Sequence, residues 1–201
     1  MLGIPVLGEI LSAAITLIPK IIKIAGENFL QFAQIITGVF KALGLMPEEE
    51  SATDLGDKAL QAESAGITPE QYDSYEEYLK AVEKFEVDPE KSREIPEGKK
   101  LEKGAEVITS AMIERYGDIM IAFFELIAKT PTYFEQRMPF FSEMQKNLPT
   151  TFDDITRYIN GKETDIKKAD ETLEKLFDVE KKVSPDTTIV DLMKSIEKMK
   201  D

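Results

Sequence analysis

The sequence predicts an all-α fold, an irregular multi-helix bundle with an apolar helical hairpin at the N-terminus and another hairpin at the C-terminus. Three observations point to it. Apolar residues recur at three- and four-residue spacing along most of the chain. No segment shows the alternation of a half-buried strand, and no turn dipeptide separates two apolar runs. Capping residues, prolines and glycines bracket the stripes where helices start and stop.

Residues 1–46 form the first segment. They are rich in Ile, Leu, Phe and Ala and hold five charges: Glu9, Lys20, Lys23, Glu27 and Lys41. A helix is expected from Pro5 to Ile18, broken or kinked at Pro19, because proline lacks the backbone donor and clashes with the preceding turn. A second helix, about 38 Å long, is expected from Pro19 to Leu43. Its stripe is Ile22, Ala25, Phe29, Phe32, Ala33, Ile36, Phe40 and Leu43, and Gly44 with Pro47 beyond it ends the element.

Residues 47–100 read as a small acidic helical module. Glu48-Glu49-Glu50-Ser51 reads as a linker, and a short helix follows from Asp54 to Ser64, stopped at Gly66. Thr68-Pro69-Glu70 carries a helix-start signal, and Ser74 caps a helix from Tyr75 to Phe85 with Tyr75, Tyr78, Leu79, Val82 and Phe85 inward. Asp88-Pro89, Ile95-Pro96 and Gly98 mark a loop of low regularity.

Residues 101–201 read as a C-terminal helical domain. Val107, Ile108, Ala111, Met112, Ile119, Phe123, Leu126 and Ile127 form one stripe with Gly117 in its middle, and Glu114, Asp118, Glu125 and Lys129 form a polar strip. Short helices interrupted by Pro131, Pro139 and Pro149 carry a dense set of aromatics, including Tyr133, Phe134, Phe140 and Phe141. Thr150 or Thr151 caps a helix bearing Phe152, Ile155 and Ile159. The closing hairpin has Ile166, Ala169, Leu173, Leu176 and Val183 on one arm, with Glu180 breaking the stripe. A turn at Ser184-Pro185-Asp186 leads to the other arm, with Ile189, Leu192, Met193, Ile196 and Met199 on one face.

Composition narrows the chemistry. The chain has no Cys and no His, which excludes disulfides, Cys- or His-ligated zinc and every nucleophile that relies on a His base. The net charge is −13, made of +1 in residues 1–46 and −14 in the remainder, so nucleic acid is not expected as a partner. The calcium-loop, phosphate-loop and dinucleotide signatures are absent, and no metal or cofactor is expected. Glu76-Glu77 and Asp153-Asp154 are adjacent on helices, so their side chains diverge and neither pair makes an acid–base dyad. Glu125 is the one acid in the apolar run from Ile119 to Ala128 and the best single candidate for a functional carboxylate that binds a cation or shuttles a proton; the stronger expectation is a structural acid, with Lys129 one turn on and its polar strip facing water. Tyr75 and Tyr78 share the stripe of Leu79 and read as core with wet hydroxyls, with Tyr72 beside them. Lys99, Lys100 and Lys103, diluted by Glu97 and Glu102, read as a solvated loop.

The functional expectation is a non-enzymatic assembly protein. Its apolar hairpin would meet other copies, a protein partner or a membrane surface, in the manner of a subunit of a delivery, secretion or virion-associated apparatus. The interface residues expected are Ile22, Phe29, Phe32, Ile36, Phe40 and Leu43. The N-terminus lacks a basic signal-peptide region, and the run from Ile10 to Ile18 is too short to span a bilayer, so a cytoplasmic or peripherally membrane-associated protein is expected. The alternative is an acidic adaptor or chaperone-like module that holds a basic client. An enzyme relying on carboxylates would need acids from separate helices to converge. Core burial by the chain itself competes with every external role for the hairpin.

Overall fold

The structure, a computed structural model, describes residues 7–142 and 148–200. The described residues are helical with no strand, so the all-α expectation holds. The helix start expected at Pro5 lies outside the described residues.

Helix α1 (Leu7–Ala25) continues past Pro19, and the break falls at a 3-10 turn, Gly26–Asn28, before α2 (Phe29–Ala42). A break at Pro19, one of the two expected outcomes there, is therefore corrected, for two physical reasons. The carbonyl that loses its donor to Pro19 belongs to Ile15, which is 61% exposed and open to water. The inward stripe of Ile10, Ala14, Leu17, Ile18 and Ile21 continues across the proline, so packing holds the helix together. Gly26 takes φ +54, a conformation that costs glycine little, and turns the chain there.

Helix α3 (Ala52–Ser64) starts at a capping box: the Ser51 hydroxyl accepts from the Asp54 amide, and the Asp54 carboxylate accepts from the Ser51 amide. The expected linker is thus partly structural, and Glu50 is buried beside Lys58 at 2.7 Å. A 3-10 turn at Pro69–Gln71 precedes α4 (Tyr75–Glu83). The loop expected around residues 88–98 instead holds α5 (Pro89–Glu94), capped by Asp88, and the start of α6 (Glu97–Tyr116). Proline at the first turn of α5 initiates that helix, because the amide it removes has no partner there in any case.

Helices α3 and α6 cross with their backbones in contact. A Cβ on Gly56 would overlap the Lys100 carbonyl, and one on Gly104 would overlap the Ala52 carbonyl. Buried Ala52, Ala59 and Ala105 keep the neighbouring side chains small.

Gly117, with φ +86, ends α6 and separates it from α7 (Ile119–Lys129), so the single element expected across 101–130 is two helices. Helix α7 is the central strut. Phe124 meets Phe32 of α2 edge-on, while Phe123 meets Phe134 of α8 (Pro131–Ser142) edge-on and stacks on Phe152 of α9 (Leu148–Ile159) at 4.1 Å. Helix α9 starts at Leu148, so Thr150 and Thr151 lie inside it and do not cap it.

The closing hairpin is α10 (Ile166–Val183) and α11 (Ile189–Lys200), and Thr188 and Asp191 cap the second arm. Ile166 is 79% exposed and does not join the stripe expected of it. One buried apolar cluster extends from Ile10 to Met199 and draws on residues of all three expected segments.

Candidate functional site

The residues expected to form an external interface sit against the chain's own core. Phe32, Ile36 and Phe40 are fully buried, and Ile22, Phe29 and Leu43 are half-buried and pack on the same cluster. Helices α6, α7 and α8 cover α1 and α2. Each such side chain is worth ~1.5–3 kcal/mol by burial. A chain lacking residues 1–46 is therefore expected to lose its cooperative unfolding transition, checked by urea denaturation followed by circular dichroism. A sharp transition in the truncated chain would contradict that expectation.

The expected charged and aromatic candidates are tied into structure. Glu125 pairs with Lys20 of α1 at 2.6 Å, which corrects the expected pairing with Lys129. The polar strip is divided by the Gly117 break. Glu114 reaches instead to the start of α4, where its two carboxylate oxygens accept from the amides of Tyr75 and Glu76 at 2.7 and 2.9 Å. Glu76 pairs with Lys80. Burial raises the pKa of Asp153, the more so beside Asp154 and Glu163. Tyr75 and Tyr78 are core residues with rings edge-on at 5.2 Å, and burial pushes both phenols far above their ordinary range.

The lysines at 99, 100 and 103 lie on α6, not on a loop. Lys103 bridges Glu63 at 2.6 Å and Glu106 at 2.7 Å. Lys100 is buried, 3.2 Å from Asp57 and 3.1 Å from Glu97, and it donates to the Ser92 hydroxyl. Ser92 in turn donates to Asp57, and Gln61 donates to the other Asp57 oxygen. This Ser–Lys–Asp arrangement ties α5 to α3 and α6. Hydrogen bonds and charge from Glu97 and Asp57 raise the Lys100 pKa despite burial, so its amine holds its proton at neutral pH.

The same network makes Asp57 sensitive to acid. Burial raises its pKa, but hydrogen bonds from Ser92, Gln61 and Lys100 outweigh that and hold it below the ordinary carboxylate value. The folded pKa is then lower than the unfolded one. The stabilisation is complete above the unfolded value and is lost as pH falls through the folded one. Wild-type urea midpoints should therefore fall on acidification below about pH 4, and Asp57→Asn should flatten that part of the profile.

Open clefts indent the described surface, among them the following three. One, of about 560 Å³, lies between α1, α3 and α6 beside exposed Ile15, and one of about 490 Å³ lies between α2 and α8. The third, of about 470 Å³, lies between the turn after α2 and α4, with Leu45, Met46, Pro47 and Leu79 on its floor and Glu50, Glu76 and Glu83 among its polar lining.

This third cleft belongs to the most acidic part of the molecule. Residues 47–97 hold sixteen acids and five bases, a balance of −11 out of the net −13. Many of these acids are exposed, including Glu70, Glu86, Glu90, Glu94 and Glu97. Among the described residues, no group of three or more acids is placed to hold a metal ion, and no helix is long and apolar enough to cross a membrane. No protein-family model, curated protein or solved structure matches the chain.

Sequence reasoning missed three features. The glycine contact of α3 with α6 was signalled only by glycines and alanines inside helical segments. Asp57 and Lys100 meet across 43 residues of sequence, with no local signal. The cleft acids were hidden among many others.

Proposed function

We propose that the protein is a non-enzymatic helical binding module that holds a basic protein partner on the acidic surface of α3, α4 and α5. The observation that carries this reading is the placement of charge: an excess of −11 within residues 47–97. The same region is fastened to the core by the α3–α6 crossing, the Asp57–Lys100 network and the Glu114 cap of α4. Covering of Phe32, Ile36 and Phe40 by α6, α7 and α8 supports this reading over an assembly role through the N-terminal hairpin. A fixed negative surface attracts cations at long range and repels phosphate backbones.

Fluorescence anisotropy with a labelled oligolysine tests the proposal. Binding is expected at low salt and should fade as salt rises from about 0.01 M to about 1 M, where the screening length falls from ~30 Å to ~3 Å. The triple variant Glu86→Lys, Glu90→Lys, Glu94→Lys should weaken it. No binding at low salt, or binding indifferent to salt, overturns the proposal.

A further inference from the structure

The cleft between the turn after α2 and α4 combines two features. Its floor is apolar, formed by Leu45, Met46, Pro47 and Leu79, and its acids are unequally matched. Lys58 is engaged by Glu50 at 2.7 Å, and Lys80 is engaged by Glu76 at 3.0 Å. Glu83 has no cation within ion-pair distance among the described residues. Partial burial, with the charge of Glu50 added, raises its carboxyl above the ordinary range and outweighs the opposing pull of Lys58, Lys80 and Lys84, which stand beyond ion-pair distance. A cation arriving beside Glu83 would relieve both effects.

The chemistry of an occupant follows from these walls. A phosphate or an anionic lipid headgroup would meet net repulsion from the surrounding acids. A free divalent ion would find one unmatched carboxylate, too few ligands for a hard cation. An apolar side chain with a lysine or arginine next to it satisfies both the floor and Glu83. The volume of about 470 Å³ falls within the range of specific binding pockets.

We infer that this cleft is the anchor point of the basic partner: it takes one large apolar side chain of a peptide segment, with the adjacent Lys or Arg pairing with Glu83. The inference rests on the proposed acidic binding surface and assigns the partner a sequence character, basic and apolar residues side by side.

Two synthetic peptides of equal length and charge separate the two levels of the proposal, one alternating lysine with leucine and one alternating lysine with serine. Titration calorimetry on the full chain should show the leucine peptide binding about tenfold more tightly, the gain expected from burying one apolar side chain. Glu83→Lys removes the carboxylate that holds the cation beside the leucine and sets a like charge over the apolar floor, so it should bring the two peptides to within about twofold of each other. Glu94→Lys, outside the cleft, should weaken both peptides and keep their ratio. Equal affinities in the wild type, or a preference that survives Glu83→Lys, overturn the anchor and leave the acidic surface standing. Failure of both peptides to bind at low salt overturns both.

Discussion

Gly104→Ala is expected to destabilise the protein by about 3 kcal/mol or more, the upper end of overpacking costs. The added methyl would overlap the backbone carbonyl of Ala52, which no rotamer change can move aside. Helices α3 and α6 would have to separate, and the loss would spread along the whole crossing. The intrinsic helix preference of alanine returns only about 1 kcal/mol. Gly56→Ala should behave alike, because its methyl would meet the Lys100 carbonyl. The double variant should cost less than the sum, since either methyl alone forces the separation. Gly98→Ala provides the contrast: it is exposed on the same helix, with nothing near its added carbon, and should be neutral or stabilising. Urea denaturation of the four variants decides the matter, and a Gly104→Ala protein as stable as the wild type would contradict the close crossing.

Arg137→Ala is expected to cost about 3–5 kcal/mol, because it leaves a buried carboxylate without its cation. The guanidinium binds both Glu180 oxygens, at 2.8 and 2.6 Å, lies 3.9 Å from the Tyr133 ring centre, and donates to the Tyr133 carbonyl. Both charged side chains are nearly enclosed. In a chain of this length such a loss lowers Tm by roughly 10 °C. The paired replacement Arg137→Met with Glu180→Leu removes both charges and keeps apolar bulk, so it should recover most of the stability. A thermal melt of the double variant no better than that of Arg137→Ala would show that the ion pair itself, and not an orphaned charge, sets the cost.

These two sites also show where sequence reading works and where it stops. Helical periodicity located the stripes of α2 and α4, because burying one face demands that spacing wherever the partner lies; in the closing hairpin it found Leu176, Leu192, Ile196 and Met199, but Ile166, Ile189 and Met193, expected on the same faces, are exposed. Breaks were less legible. Pro19 carries the strongest local signal against a helix, yet it sits on the wet side of a continuous stripe, while Gly26 and Gly117 turn the chain with φ of +54 and +86. Glu180 was visible as a charge in an apolar slot, but its partner lies on another helix, 43 positions away. In the sequence Glu83 is only one of the charges outside the stripe of α4, since its character depends on the cleft it shares with Leu79 and on which lysines its neighbours occupy. Local pattern reports the direction a residue faces, and pairing across helices needs the fold.

The glycine crossing of α3 and α6 also bears on how association would proceed. Where backbone meets backbone, there are no side chains between the helices to slide or repack, so α3 has no low-cost displacement available to it. The acids that α3 supports are then presented in nearly the same arrangement before and after an encounter. On the proposed reading, little backbone entropy would be lost on contact. Arrival would be governed by charge and its screening more than by rearrangement, giving fast, salt-tuned capture and a residence time set by whatever the cleft retains.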